Sequence, residues 1–206
     1  MSGPAKRRGS VRELHRELTR ERLAEGAVEC FAAKGYVATT IDDITATAGT
    51  TRATFYLHFK SKAEVALEVL RRLGEQFDPI YAELFELAPA PRRDKIQTWL
   101  GHTIDIWEST HAAFAALGEA GAVEAAVREQ QQASFDQDIE LLTAALEKNA
   151  KWTHLQARAR ATVLFSQLQQ LFLRWSTHGW DVDRPELLEV LTDMWCAALK
   201  VRSSRS

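Results

Sequence analysis

Residues 39–70 read TTIDDITATAGTTRATFYLHFKSKAEVALEVL, and this stretch decides the fold. Thr40 followed at the third position by Asp43 resembles a capping box, so a short helix is expected over about 41–48, with Gly49 ending it. Thr51 caps a second short helix over about 52–58. Ser61 with Glu64 opens a third, which carries Val65, Leu67, Leu70 and Leu73 and is expected to stop around Asp78, before Pro79. Two short helices joined by a glycine-containing turn make a helix-turn-helix.

The second short helix has the composition of a recognition element. Such a helix must be narrow and polar at its start, because its first turn enters the major groove. Arg52 can donate two bonds to guanine O6 and N7, a contact worth about 1–3 kcal/mol of discrimination. Ala53 permits close approach, and Thr54 and Tyr56 bring hydroxyls. Phe55 and Phe59 should turn inward onto Ile41, Ile44 and Phe31. His58, Lys62 and Thr40 stand where backbone phosphates would lie. The competing reading is a helical hairpin inside a core, with Tyr56 and His58 as packing residues.

Outward from this segment, the chain is 206 residues with 26 Lys+Arg and 28 Asp+Glu, a net charge of −2. The charge is uneven. Residues 1–62 hold eleven basic and seven acidic side chains, and the remainder is acidic. A basic end on an acidic body suggests contact with a polyanion. No apolar run is long enough for a membrane span, and no apolar segment follows the basic MSGPAKRRGSVR, so no signal peptide is expected. Two cysteines, Cys30 and Cys196, exclude a disulfide framework and favour the reducing cytoplasm. Nothing alternates with period two, so an all-α fold is expected. Residues 1–10 read as a disordered basic tail, 11–60 as the helix-turn-helix domain and 61–206 as a helical body. In the leading helix, Glu17, Glu21 and Glu25 read as ion-paired flanks of Arg16, Arg20 and Arg22. Further helices are expected over 92–108, 111–118, from Gly121 to Lys148, over 153–177, and from an Asp183–Glu186 cap to Val201.

Segment 19–70 resembles the DNA-binding domain of the TetR family of bacterial transcriptional regulators. Ala27, Phe31, Gly35, Tyr36, Thr39-Thr40, Ile41, Ile44, Ala48-Gly49, Arg52, Thr54, Phe55-Tyr56, His58-Phe59, Ser61-Lys62 and Glu64 carry the likeness. It depends on spacing as well as on composition. Thr50 departs from it, standing where valine is usual, as do Ala46 and Thr47. The resemblance implies an all-helical homodimer on a quasi-palindromic operator in double-stranded DNA. It implies DNA contacts from Thr40, Thr51, Arg52, Ala53, Thr54, Tyr56, His58 and Lys62. It also implies a C-terminal domain for ligand and dimer contacts.

For that body, an expected pocket gathers Trp99, His102, Thr103, Ile106 and Trp107, closed by Phe114, Gln131, Phe135, Asp138, Leu168 and Phe172. Aromatic walls with few polar groups suit a small hydrophobic or aromatic effector. An expected dimer face uses Leu164, Leu171 and Trp175, then Leu187, Leu191, Met194, Trp195 and Ala198. Each of these residues could equally be ordinary core. An enzyme is not expected, nor is a cofactor. The single E-x-x-H, Glu108 to His111, lacks the second copy and the additional glutamates that di-iron chemistry requires. The sequence is therefore read as a ligand-responsive regulator, in the sense of a repressor. The alternatives are a DNA-bound regulator without a small-molecule effector, or an all-helical small-molecule or metal-binding protein.

Overall fold

The computed structural model describes residues 11–179 and 181–201. The basic tail expected over residues 1–10 lies outside them. Among the described residues there are eight helices and no strand: α1 (Val11–Lys34), α2 (Ile41–Thr47), α3 (Arg52–His58), α4 (Lys62–Leu87), α5 (Arg93–Val123), α6 (Ala125–Glu147), α7 (His154–His178) and α8 (Arg184–Ala198). None of these helices is long and apolar enough to cross a membrane.

The caps around α2 to α4 form as the spacing predicts. Thr40 accepts from the Asp43 N–H, and Asp43 reaches back to the Thr40 N–H at 2.8 Å. Thr51 accepts from the Thr54 N–H, and Ser61 from the Glu64 N–H. Gly49 makes the turn between α2 and α3 at φ 61°, a conformation that costs a Cβ-bearing residue energy. Gly26 lets α1 lie against α2, since a Cβ there would stand 3.1 Å from the Ala48 nitrogen.

Several boundaries differ from expectation. α4 does not stop before Pro79 but runs through it to Leu87. Pro79 is exposed, and its missing N–H removes one rung of the helix without ending it. The expected helices 92–108 and 111–118 are one, because Ser109 and Thr110 do not break it. Their hydroxyls turn back onto the Ile106 carbonyl at 2.9 and 2.6 Å, so their polar groups are satisfied within the helix and do not interrupt it. Asp183 precedes α8 but makes no side-chain cap. Arg184 there pairs instead with Glu108 and Asp105 of α5.

The α1 charges also pair differently. Arg20 meets Glu68 of α4 at 2.8 Å, Arg72 reaches Glu17 and Glu21, and Arg22 donates to the Ala48 carbonyl. Glu68 is 5% exposed and collects Arg20, Arg71 and Arg72. A buried anion with three guanidinium donors fastens α1 to α4, whereas intrahelical surface pairs would have contributed only a few tenths of a kcal/mol each, ~0.3–0.5.

Two apolar cores lie along the chain. One holds Leu23, Phe31, Tyr36, Ile44, Phe55 and Phe59 together with Val65–Leu73 of α4 and Ala113–Ala120 of α5. The second holds Phe77, Leu84, Trp99, Trp107, Leu142, Phe165, Leu191 and Trp195. Packing does not part at the expected 60/61 boundary. The first core takes in the front half of α4 and the end of α5, and Phe114 packs against both cores.

Candidate functional site: the α3 tip and the body cavity

The α3 tip is built on a buried aromatic base. Phe55 and Phe59 are buried with ring centroids 5.8 Å apart, close to Ile44 and Phe31 in the same core. Helical geometry then sends Arg52, Ala53 and Tyr56 outward, and these are exposed with Thr51 and Thr40. Thr54 is half-buried and shares a 3.0 Å hydroxyl contact with Thr51. Arg52 Nη1 donates to both Asp42 oxygens at 3.0 Å, and Nη2 donates to the Tyr56 hydroxyl at 3.3 Å. Asp42 thus holds the guanidinium along the edge of the tip.

The other two residues expected at phosphates are engaged inward. His58 is half-buried, and its Nδ1 has no hydrogen-bond partner. Burial, with Arg16 and Arg20 nearby, keeps its pKa below the ordinary histidine value, so the ring is neutral at pH 7. Lys62 donates from Nζ to the carbonyls of Tyr36 at 2.6 Å and Thr39 at 2.8 Å, and lies over the Tyr36 ring. Burial lowers its pKa, although Glu124 opposes this. Lys62 thereby clamps the loop between α1 and α2. The same loop meets the body through Tyr36, whose N–H donates to Glu119 at 2.6 Å and whose hydroxyl donates to Glu124 at 3.0 Å. Substituting Lys62 by methionine is expected to cost about 1 kcal/mol in urea unfolding, because carbonyls at a partly exposed site regain water. An unchanged midpoint would show the clamp to be slack.

The body contains a cavity of about 490 Å³, within the range of small-molecule sites. Of the expected pocket residues, Trp107, Phe114, Gln131, Phe135, Asp138, Leu168 and Phe172 line it. Four others do not. Trp99 is fully buried against Trp195, at 4.8 Å between ring centroids, with its indole N–H on the Ile80 carbonyl. Thr103 is buried and donates to the Trp99 carbonyl. His102 is exposed beside Glu83, and Ile106 packs on the second core. The cause is helix phase. α5 touches α1, α4, α6, α7 and α8, and of its residues only Trp107, Phe114 and Gly118 meet the void, while His102 lies on its exposed face.

Sequence reasoning missed the α4 wall, Leu70 to Tyr81: Tyr81 lies beyond the expected helix end at Asp78, while Leu70, Leu73 and Phe77 lie inside that helix but were not assigned to the pocket. It also missed Phe165, Gln169 and Ser176 of α7. The i, i+4 spacing of Phe77 and Tyr81 was the available signal. Asp138 stands in this wall, and burial, then the nearby Asp78, pushes its carboxyl up to about 7.

The expected dimer face needs correction at three positions. Leu164, Leu191 and Trp195 are 2%, 2% and 0% exposed within the single chain, so they cannot meet a second copy. Met194 is half-exposed, and Leu171, Trp175, Leu187 and Ala198 are half-buried. The outward apolar side chains on these helices are Leu155, Val163, Leu173, Val190 and Met194. Among the described residues no three His, Cys, Asp or Glu side chains converge as metal ligands. Glu108 is paired with Arg184, and the ring of His111 lies edge-on to Trp175.

Residues 23–69, the first core from Leu23 to Val69, match the family model described as bacterial regulatory proteins, tetR family. This part of the chain is similar to the TetR-family DNA-binding domain. Curated relatives include the helix-turn-helix transcriptional regulator TcmR of Streptomyces glaucescens, 40% identical over 76 residues, covering 37% of this chain and 31% of TcmR. The repressor KstR2 of Mycolicibacterium smegmatis is 36% identical over 72 residues, 35% of each chain. The chain spans about a third of the length of the curated relatives it matches. Likeness to solved structures extends further. A TetR-family structure from Mesorhizobium loti aligns over 90% of this chain and 96% of its own at TM-score 0.73 and 18% identity. The SmeT–triclosan complex aligns over 88% and 91% at TM-score 0.66 and 24% identity. At those identities the fold is shared, body helices included.

Proposed function

We propose that this chain is a dimeric, DNA-binding transcriptional regulator of the TetR family, acting as a repressor, that a small aromatic effector releases from its operator. The observation that carries the reading is the α3 tip: five exposed side chains, Thr40, Thr51, Arg52, Ala53 and Tyr56, on a fully buried Phe55–Phe59 base. That arrangement supplies groove-reading groups on a rigid support. In this reading Thr54 joins them at the base edges and phosphates, while His58 and Lys62 act mainly by positioning α3 and its neighbouring loop.

The cavity supports effector control and disfavours a regulator without one. α4 bears on both processes, with its front half in the core of the DNA-binding head and its second half in the cavity wall. A ligand wedged between α4, α6 and α7 would tilt α4 and change the separation of two heads. Driving the balance from 1:99 to 99:1 requires about 5.5 kcal/mol of differential binding. The decisive experiment is footprinting on DNA flanking the gene. Two protected half-sites about one turn apart, ~34 Å or slightly more, are expected, with affinity falling steeply with salt. Absence of protection in dilute buffer would end the reading.

For the dimer, the exposed stripe of Val163, Val190 and Met194, with Leu171, Leu187, Trp175 and Ala198 at its margin, is proposed as the contact. Met194→Asp is expected to give monomers in sedimentation while keeping the fold, since the side chain is 50% exposed. An intact dimer would move the interface off α8. A charge at Trp195 could not test this, because removing a buried Trp costs about 3–5 kcal/mol of the monomer's own stability.

A further inference from the structure

The cavity wall carries one formally charged side chain, Asp138 of α6. Asp138 is half-buried, and no described side chain hydrogen-bonds to it or pairs with it. Its surroundings make the omission pointed. From α4 it faces the Tyr81 hydroxyl and the carboxyl of Asp78. From α5 and α7 the lining is uncharged, including Trp107, Phe114, Phe165 and Gln169. Among the described residues, no arginine or lysine lines the wall. An acid held among aromatic rings with no cation of its own is complementary to a positive ligand, and the rings attract positive charge through their quadrupoles.

We propose that the cavity takes a lipophilic aromatic cation, with Asp138 as its counter-ion. The inference rests on the effector reading above and narrows it to a charge class. Neutral aromatics would leave the carboxyl unmatched, and anions would be repelled by it. Because burial and Asp78 raise the carboxyl to about 7, the empty protein holds it close to half protonated at neutral pH. A cation seated beside it favours the carboxylate, so the proton leaves as the ligand enters.

The test uses three probes of similar shape: tetraphenylphosphonium, tetraphenylborate and neutral triphenylphosphine oxide. None titrates near neutrality, so any pH dependence belongs to the protein. By calorimetry at pH 8 the phosphonium is expected to bind about tenfold or more tighter than the borate. In Asp138→Asn, an isosteric change whose folding is checked by its thermal transition, that preference is expected to collapse. In the wild type, phosphonium affinity is expected to fall about tenfold or more between pH 8 and 5.5. At pH 7 its binding should release about half a proton, read from the dependence of the heat on buffer ionisation enthalpy. Equal affinities for phosphonium and borate, or a preference unchanged in Asp138→Asn, would overturn the cation site. Binding of the oxide with release from DNA would then leave the effector reading standing. A charge preference that depends on Asp138, without release from DNA, would keep the cation site and remove the effector reading. Failure of all three probes to bind would remove both.

Discussion

Glu68→Ala is expected to lower folding stability by about 3 kcal/mol, toward the lower end of the range for removing one member of a buried ion pair. Glu68 is 5% exposed and its two oxygens accept from Arg20, Arg71 and Arg72 at 2.8–3.3 Å. The variant leaves three guanidiniums without their shared anion. Arg71 is about half-exposed, and Glu17, Glu21 and Glu75 remain near the cluster, which keeps the loss from reaching the top of the range. A small domain has about 5–15 kcal/mol in all, so the effect is large. It should appear as a lower urea midpoint at unchanged slope. A loss below about 1 kcal/mol would mean that the remaining glutamates satisfy the arginines.

The same cluster predicts an acid limit. Burial opposes the Glu68 charge, but hydrogen bonds from Arg71, Arg20 and Arg72 outweigh it and hold the carboxyl down at about 2, against 4.5 ordinarily. A depressed carboxyl contributes fully above its unfolded value and loses its contribution as pH falls through the folded one. The gap between wild type and Glu68→Ala is therefore expected to be constant above pH 4.5 and to close between 4.5 and about 2. Asp138 works in the opposite sense. Its raised carboxyl makes stability fall as pH rises from its ordinary 3.8 toward 7.

Arg52→Ala is expected to reduce operator affinity by about ten- to a hundredfold while leaving affinity for unrelated DNA nearly unchanged. Arg52 is ion-paired with Asp42, but both are exposed, at 56% and 68%. An exposed pair contributes about 0.2–1 kcal/mol, less than the 1–3 kcal/mol of a bidentate guanine contact, so base contact can displace it. Asp42→Asn should accordingly leave operator affinity within a few-fold, about twofold either way. Fluorescence anisotropy on operator and scrambled duplexes at one salt concentration separates the outcomes. Equal losses on both duplexes would show that Arg52 touches only phosphate.

Local signals were legible where both partners lie within one helical turn. The caps Thr40–Asp43, Thr51–Thr54 and Ser61–Glu64 form, because spacing puts donor and acceptor within reach, but Asp183 with Glu186 at the same spacing does not cap α8. The α1 charges show the limit. Arg16, Arg20 and Arg22 are spaced for intrahelical pairing, yet the partner of Arg20 is residue 68, which no local spacing indicates. Seven of the proposed pocket residues line the cavity. The errors at Trp99, His102, Thr103 and Ile106 arise because periodicity separates buried from exposed positions but not cavity wall from core. Trp99 packs on Trp195 of α8, Thr103 bonds to the Trp99 carbonyl, Ile106 joins the second core, and His102 is on the exposed face.

Amphipathic periodicity, caps and the spacing from Ala27 to Glu64 were enough to establish an all-helical chain and the TetR-like head, since these depend on contacts a few residues apart. Which apolar side chains are core, cavity wall or free surface was decided only by tertiary packing. Trp195 and Met194 are sequence neighbours of similar hydrophobic character, one at 0% and the other at 50% exposure. What separates them is the direction in which α8 lies against α5, and that follows from contacts such as Trp99 on Trp195 between residues almost a hundred positions apart.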